Sequence, residues 1–267
     1  MESKFAAVVL AGERPGGSDF SRELGLAASV LVDVAGKSTL ARVIEALEAS
    51  ELVGSGVMCG PTEDIYLKNP EFRQILQGTA FSWMQPKTGP SASALAAIKQ
   101  LNRFPTLLTA GDHALLTAGL VDDFCARALE LDVDVAVGLA PYSIVRAAFP
   151  ESKRTVLKFS NGEYCGTNLF AILNRDGLAG PAFWSHLEAD RKRPWRMARK
   201  GGLGVLLKYL FGRLSLESAL GSLSQAMGCR LGYVLVDSPR AAVDVDSVAD
   251  RDLAVKILQD EAKINRG

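Results

Sequence analysis

The chain alternates short apolar runs with longer stretches of helical periodicity, and this alternation limits the folds that it can adopt. Apolar residues 5–10 predict a buried first strand, and apolar residues at helical spacing between 38 and 50 predict a helix. A short extended piece is predicted at 30–34. The unit recurs with strands at 57–59, 81–84, 106–109 and 133–139 and helices over about 90–101 and 118–131. Repeated strand–helix units with right-handed crossovers predict a three-layer αβα sandwich around a mostly parallel mixed sheet.

The second half of the chain is less regular. A turn at Asn161-Gly162 separates predicted strands at 155–159 and 168–173, and a helical region follows over about 176–223. Further strands are predicted at 230–236 and 241–245, before a closing helix over 248–262. Because no repeat or linker interrupts the sequence, we interpret residues 1–267 as a single α/β domain with a helical subregion in its C-terminal half.

Composition and charge exclude several classes of protein. The 30 basic and 30 acidic residues cancel, so no overall positive field is available to gather nucleic acid. The four cysteines lie far apart and form no C-x-x-C pair, which favours reduced buried thiols over zinc or disulfides. No apolar run approaches the roughly twenty residues of a transmembrane helix, and the N-terminus lacks signal-peptide features. We therefore expect a cytoplasmic protein without a transmembrane segment.

Three familiar catalytic signatures fail. Residues 36–39 imitate the end of a P-loop, but Leu31 stands where that motif requires its first glycine. The glycines at 201, 202 and 204 follow no strand, which argues against dinucleotide binding. With two histidines and no G-x-S-x-G sequence, a serine hydrolase is also disfavoured.

The most informative segment is the loop that follows the first strand. It carries Gly12, Gly16 and Gly17, together with the basic residues Arg14 and Arg22. Glycines allow backbone N–H groups to surround an anion, and arginines supply paired donors for phosphate oxygens. From spacing alone, the pattern fits a phosphate-binding loop and an ordinary flexible βα loop equally well.

Several short segments occur in a fixed order along the chain. They are Leu10-Ala11-Gly12 with Arg22 and Val34-Ala35-Gly36-Lys37, Gly89-Pro90-Ser91-Ala92-Ser93, Ala110-Gly111-Asp112-His113, Gly166-Thr167-Asn168-Leu169-Phe170, and Asp244-Val245-Asp246 with Asp250. This ordered set resembles the MobA-like nucleotidyltransferases, a branch of the sugar-phosphate and alditol-phosphate nucleotidyltransferases with a GT-A-type sheet. The resemblance extends from Val8 to about Leu258.

The resemblance implies an enzyme that transfers a nucleoside monophosphate from an NTP to a phosphorylated small molecule or lipid headgroup and releases pyrophosphate. CTP or GTP is the favoured donor, and Mg²⁺ or Mn²⁺ is the implied cofactor. Magnesium prefers one or two carboxylates with phosphate oxygens and water, which suits aspartates at separate strand ends. The nucleotide-binding half is expected over about 1–140, and the acceptor-binding half with a helical insertion over about 141–267.

The resemblance also implies roles for single residues. Nucleotide binding is implied for Leu10, Ala11, Gly12, Arg14, Gly16, Gly17, Gly89, Pro90, Ser91, Ser93 and Gly111. Catalysis is implied for Arg22, Asp112 and Asp246, metal binding for Asp112, Asp246 and Asp244, and acceptor binding for Gly166 and Asn168. The alternative for Asp112 is a helix N-cap. For Asp244 and Asp246 it is an exposed strand end, with Ser247 capping the last helix.

A dense basic run at 191–200 contains Arg193 and Arg196 and has three interpretations. In the first, these two arginines bind an acceptor phosphate. In the second, the run makes a peripheral contact with an anionic membrane surface, with Trp195 beside it. In the third, it is a solvated helix face packed by Trp184 and Trp195.

The chain departs from the family pattern at two positions. Ser29 stands close to the place of a lysine that contacts the triphosphate, and Asp33 replaces a common proline. Losing this cation predicts an enzyme that binds NTP·Mg²⁺ but turns over slowly. Two other functions stay open, namely a nucleotide-binding sensor that has lost efficient catalysis and a GT-A glycosyltransferase that uses a nucleotide sugar. Pyrophosphate release separates the transferase from both.

Overall fold

The computed structural model describes residues 4–14, 16–190 and 212–264. The strands in these ranges are β1 (Phe5–Leu10), β2 (Asp33–Val34), β3 (Lys37–Ser38), β4 (Val53–Cys59), β5 (Phe81–Met84), β6 (Thr106–Ala110), β7 (Val135–Pro141), β8 (Leu157–Phe159), β9 (Gly162–Ile172) and β10 (Leu231–Leu235). Among the described residues, eight strands form one sheet in the order β10-β7-β9-β6-β1-β4-β5, with β8 paired to β9. Strand β9 runs antiparallel to its neighbours, and the other pairs of this sheet are parallel. The predicted mostly parallel mixed sheet is confirmed.

Helices connect these strands. Those of the described ranges are α1 (Asp19–Glu23), α2 (Thr39–Glu48), α3 (Glu63–Lys68), α4 (Pro70–Leu76), α5 (Pro90–Leu101), α6 (Ala118–Leu129), α7 (Tyr142–Ala148), α8 (Ala179–Asp190), α9 (Leu216–Met227) and α10 (Val248–Ile264). Short 3₁₀ helices occupy Ser29–Leu31, Asp176–Leu178 and Pro239–Ala242. The predicted helices near 38–50, 90–101, 118–131 and 248–262 are confirmed with small shifts of their ends. Helices α1, α3, α4 and α7 lie where the sequence pattern predicts none.

The first strand shows why helices cover both faces of the sheet. Val9 belongs to a buried cluster with Leu40 of α2 and Phe124 of α6, whereas Val8 packs with Ile98 of α5. Successive side chains of a strand point to opposite faces, so a continuous apolar run indicates a strand that is buried on both. The three-layer αβα arrangement follows from this double burial.

The predicted strand at 241–245 is wrong. Its first two residues end the 3₁₀ helix Pro239–Ala242, and the remainder does not pair with the sheet. Val243 and Val245 are buried in a side-chain cluster beside the sheet, and the Val245 N–H bonds to the Asp112 carbonyl at 3.1 Å. The apolar alternation therefore reflects packing next to the sheet rather than membership of it.

Two other predicted strands differ in detail. The segment 30–34 begins within the 3₁₀ helix Ser29–Leu31, and only its last two residues form a strand, which is β2. The predicted strand at 168–173 is the last part of β9, which continues through Asn168 although that residue has a φ of +54°. The register between β7 and β9 shifts at this point, so Asn168 lies at an irregularity of the sheet.

Strands β5, β4, β1 and β6 are parallel, so their carboxyl ends lie at the same edge of the sheet. This edge positions the candidate site. In open α/β sheets, ligands bind in the crevice outside the carboxyl ends of the strands. The glycine-containing loop follows β1 at this edge, and Asp112 follows β6.

The four cysteines are buried and unpaired, as predicted. Within the described ranges, no helix combines the length and apolar character needed to cross a bilayer.

Candidate functional site

The loop after β1 wraps around a carboxylate of its own. Glu13 Oε1 accepts hydrogen bonds from the Arg14 N–H at 3.0 Å and the Ser18 N–H at 2.9 Å. Its other oxygen, Oε2, accepts from the Ser29 N–H at 2.6 Å. Two backbone N–H groups of this loop and that of Ser29, after α1, therefore converge on the Glu13 carboxylate, as N–H groups of a phosphate-binding loop do on a phosphate.

The glycines and arginines of the loop have different positions. Gly16 and Gly17 both have a φ of +82°, a conformation that glycine adopts at little cost. Arg22 is exposed, pairs with Asp19, and donates from Nη1 to the Gly16 carbonyl at 3.3 Å. Arg14 is also exposed, and no residue described in the structure forms an ion pair with it.

Asp112 follows β6 directly beside the end of β1. Leu10 is paired with Ala110, and the Gly111 N–H bonds to the Leu10 carbonyl at 2.8 Å. The Asp112 Oδ1 atom is buried, and none of the described residues gives it a hydrogen bond. Burial, followed by the charges of Asp246 and Asp244, raises the pKa of Asp112 to about 7.

The segment that carries Asp246 meets Asp112 through the backbone, because Val245 donates to the Asp112 carbonyl. Asp246 is exposed, but partial loss of solvent around its carboxylate raises its pKa, and the charges of Asp244 and Asp250 add to this rise. Arg154 and Arg14 oppose it by attraction. The structure thus brings Asp112 and Asp246 together, and Arg14 of the β1 loop is close enough for its charge to act on Asp246.

The alternative roles of the aspartates can also be compared with the structure. Thr117 is the N-cap of α6, where its side chain accepts from the Leu120 N–H, so Asp112 does not cap that helix. Ser247 accepts from the Asp250 N–H at 3.3 Å, which agrees with the predicted cap of the last helix. Asp244 forms an ion pair with the Arg154 guanidinium.

A pair of carboxylates of this kind fits Mg²⁺. The described residues include no group of three or more His, Cys, Asp or Glu side chains arranged to hold a metal. Magnesium needs only one or two carboxylates when phosphate oxygens and water supply the other ligands. The buried Asp112 Oδ1 lacks a partner, and Asp246 repels it, as expected for a pair that a cation would stabilise.

The segment 89–93 lies at the N-terminus of α5, after β5. Gly89 has a φ of +96°, and Pro90 occupies the first turn of the helix. Ser93 is buried and donates to the Gly89 carbonyl at 2.8 Å, which fixes this turn. Ser91 Oγ donates to Glu188 Oε1 of α8 at 2.5 Å, and the Ser91 N–H donates to Oε2 at 3.3 Å.

The acceptor-side residues lie in β9, next to the carboxyl ends of β6 and β7. Gly166 is paired with Leu139, near the end of β7, and a β-carbon at Gly166 would meet nothing within 4 Å. Asn168 occupies the irregularity described above. Arg193 and Arg196 lie outside the described residues.

Ser29, which the resemblance places close to a family lysine, carries no positive charge. Ser29 begins a 3₁₀ helix, and its N–H is held by Glu13. Lys37 does not replace the lysine, because its Nζ atom pairs with Glu45 on the surface, at 2.7 Å from Oε2. Arg14 and Arg154 are the cations whose charges act on Asp246.

The sequence motifs do not include three residues of this region. They are Glu13, Arg154 and Glu188. Arg154 donates a hydrogen bond to Asp244, which is 90 positions away in the chain, and Glu188 accepts one from Ser91, which is 97 positions away. Glu13 alone has a local signal, because it is an acidic residue among the glycines of a loop that is predicted to bind phosphate.

The chain is similar to known proteins in sequence and in fold. The sequence model of the MobA-like NTP transferase domain matches residues 7–158. A hypothetical transferase from Thermus thermophilus is 26% identical with a TM-score of 0.77, and the match covers 93% of this chain and 99% of that one. No curated protein matches the chain.

Two more distant structures share the fold. One is CMP:2-keto-3-deoxy-manno-octonic acid synthetase complexed with CTP, at 15% identity and a TM-score of 0.60, over 97% of this chain and 100% of that one. The other is 4-diphosphocytidyl-2C-methyl-D-erythritol synthase from Anaerococcus prevotii, at 11% identity and a TM-score of 0.58, over 96% of each chain.

Proposed function

Since the chain belongs to the family of MobA-like NTP transferase domains, we propose that it transfers a nucleoside monophosphate from an NTP to a phosphorylated acceptor. The acceptor is a small molecule or a lipid headgroup, pyrophosphate is the second product, and Mg²⁺ is the cofactor. The observation that carries this proposal is the unpartnered Asp112 Oδ1, which lies beside Asp246 and the glycine loop.

The chain's residues divide the work of such a reaction. N–H groups near Gly12, Gly16 and Gly17 contact the phosphates, and Arg14 contributes positive charge between this loop and Asp246. Asp112 and Asp246 hold Mg²⁺, which supplies charge neutralisation at the triphosphate when bound. Catalysis then depends mostly on placing the acceptor phosphate in line with the α-phosphorus.

In this proposal, different segments of the chain receive the base and the acceptor. The turn at 89–93 receives the base, and CTP and GTP are the donors to test first. Gly166 and Asn168, together with Arg193 and Arg196, receive the acceptor. Residues of about 1–140 therefore form the nucleotide half, and residues of about 141–267 the acceptor half.

Pyrophosphate release tests the proposal. Purified protein is assayed with each of four NTPs and Mg²⁺ over a panel of phosphorylated sugars, polyols and lipid headgroups. Activity that Asp112→Asn and Asp246→Asn abolish, with folding intact, supports the assignment. Turnover of a nucleotide sugar without pyrophosphate would instead support a glycosyltransferase.

A second function is favoured by the loop itself. Ser29 provides no ammonium group, and Glu13 places a negative charge where triphosphate oxygens would bind. Both features lower the expected turnover, so a nucleotide-binding sensor is the alternative. Calorimetry with NTP·Mg²⁺ that gives tight binding, combined with no pyrophosphate from any acceptor, would select this alternative.

A further inference from the structure

Arg154 is a buried arginine in the segment between α7 and β8, and it connects distant parts of the chain. Its side chain is only 7% exposed. Nη1 donates to Asp244 Oδ1 and to the Asp244 carbonyl at 3.2 Å, whereas Nη2 donates to Asp250 Oδ1 at 2.6 Å. Nε donates to Ser152 Oγ at 2.7 Å. The guanidinium therefore bridges two carboxylates in a fixed geometry.

The two bridged aspartates flank Asp246. Asp244 precedes it, and Asp250 follows it in the first turn of α10. Asp250 is itself fixed, because its Oδ2 atom accepts from Ser247 Oγ at 2.5 Å. With Val245 bonded to the Asp112 carbonyl, the backbone is held on each side of Asp246.

Three carboxylates lie close together in this segment. Asp244 and Asp250 both pair with the Arg154 guanidinium, and Asp246 lies between them in the chain. Like charges in a partly buried cluster repel, and the repulsion would separate the segments that carry them. Arg154 offsets this repulsion at Asp244 and Asp250, and both carboxylates are engaged by its donors.

We propose that Arg154 is a positioning residue, which fixes Asp246 beside Asp112 and holds Asp244 as its own partner rather than as a metal ligand. The inference rests on the proposed function, because it assigns the divalent cation to Asp112 and Asp246. It predicts that metal affinity depends on a residue that does not touch the metal.

Charge-preserving variants separate positioning from simple electrostatics. Arg154→Lys keeps the positive charge, but one ammonium group cannot bridge both carboxylates. The double variant Arg154→Met with Asp244→Asn removes one charge of each sign and leaves the net charge unchanged. Arg73→Lys is the matched control, since Arg73 is exposed and donates only to the Leu67 carbonyl.

Two measurements on the full chain without nucleotide test the inference. Amide hydrogen exchange at Val245 reports the position of the segment independently of any metal, and Mn²⁺ binding by electron paramagnetic resonance reports the site. In Arg154→Lys and in the double variant, we expect exchange to become about tenfold faster and Mn²⁺ affinity about tenfold weaker. Asp244→Asn alone should change Mn²⁺ affinity by about threefold or less, whereas Asp246→Asn should abolish it.

Unchanged exchange and unchanged Mn²⁺ affinity in Arg154→Lys would overturn the positioning role. An Asp244→Asn protein that binds Mn²⁺ as poorly as Asp246→Asn would overturn the assignment of Asp244. If the wild type binds no Mn²⁺ either alone or together with CTP or GTP, although exchange responds as expected, the proposed metal site fails and the positioning role stands. Thermal melting confirms that each variant is folded, and either charge-preserving variant suffices if the other unfolds.

Discussion

The Gly12 backbone nitrogen lies so close to Gly60 that a β-carbon at position 60 would be 2.7 Å from it. Gly60 also has a φ of +104°, which side chains disfavour. The surroundings of Gly12 are different, because a β-carbon there would meet nothing within 4 Å. Gly60 is therefore required for packing against the loop, whereas the space in front of Gly12 is open to a ligand.

Gly12→Val should leave the fold intact and lower NTP affinity at least about tenfold, since the branched side chain enters the space of the phosphates. The matched variant Gly60→Ala should instead reduce the free energy of unfolding by about 2 kcal/mol or more. Calorimetry with NTP·Mg²⁺ and urea unfolding measure the two quantities. Wild-type nucleotide affinity in folded Gly12→Val would remove the phosphate-loop assignment.

Asp112 and His113 are neighbours with opposite effects on acid stability. Burial and then the charges of Asp246 and Asp244 raise the pKa of Asp112 from 3.8 to about 7. Burial lowers the pKa of His113 from 6.5 to about 4, against an opposing interaction with the Arg240 backbone. Between its unfolded pKa of 3.8 and its folded pKa of about 7, Asp112 keeps its proton only in the folded state. The stability that Asp112 contributes at low pH is therefore lost as pH rises from 3.8 through about 7. His113 contributes the reverse, because its stabilisation is lost as pH falls from 6.5 through 4.

Asp112→Asn should therefore become more stable relative to the wild type as pH rises from about 4 to 7, by up to about 1.4 kcal/mol per pH unit. His113→Gln should show the opposite slope relative to the wild type. Urea unfolding in EDTA across this range measures both. If the stabilities of the wild type, Asp112→Asn and His113→Gln change in parallel with pH, then Asp112 is not buried as a neutral acid and His113 is not buried as a neutral imidazole.

The fold was largely predictable because its main signals are local. The apolar run of β1 and the helical periodicity of α2 each specify an element without reference to the rest of the chain. The failure at 241–245 arose because Val243 and Val245 are buried by packing outside the sheet, which produces the same alternation as a strand. Sequence alone cannot distinguish these two kinds of burial.

The candidate site was predictable only in part, for a related reason. Asp112 and Asp246 carry motif signals, and the structure brings them together. Arg154 and Glu188 depend on contacts between distant segments, and no pattern near either residue marks them. Residues that position others are therefore recovered from tertiary contacts rather than from sequence.

Arg193→Glu combined with Arg196→Glu tests the basic run. If these arginines bind an acceptor phosphate, the KM for the acceptor should rise about tenfold or more while NTP affinity changes little. Flotation with anionic vesicles checks the membrane interpretation in the same variant. A variant that matches the wild type in both assays would leave the run as a solvated helix face.

The last prediction concerns Ser29, whose N–H donates to Glu13 Oε2 at 2.6 Å. A cation aimed at the transferring phosphate typically lowers the barrier by about 3 kcal/mol, or roughly two orders of magnitude in rate. Ser29→Lys should therefore raise kcat for pyrophosphate release, by about tenfold because Glu13 offsets part of the new charge. Adding Glu13→Gln should raise it further, since the amide keeps an acceptor without the negative charge. Ser29→Met is the uncharged control of similar length, and a wild-type enzyme that Ser29→Lys slows would show that other cations already serve the phosphate site.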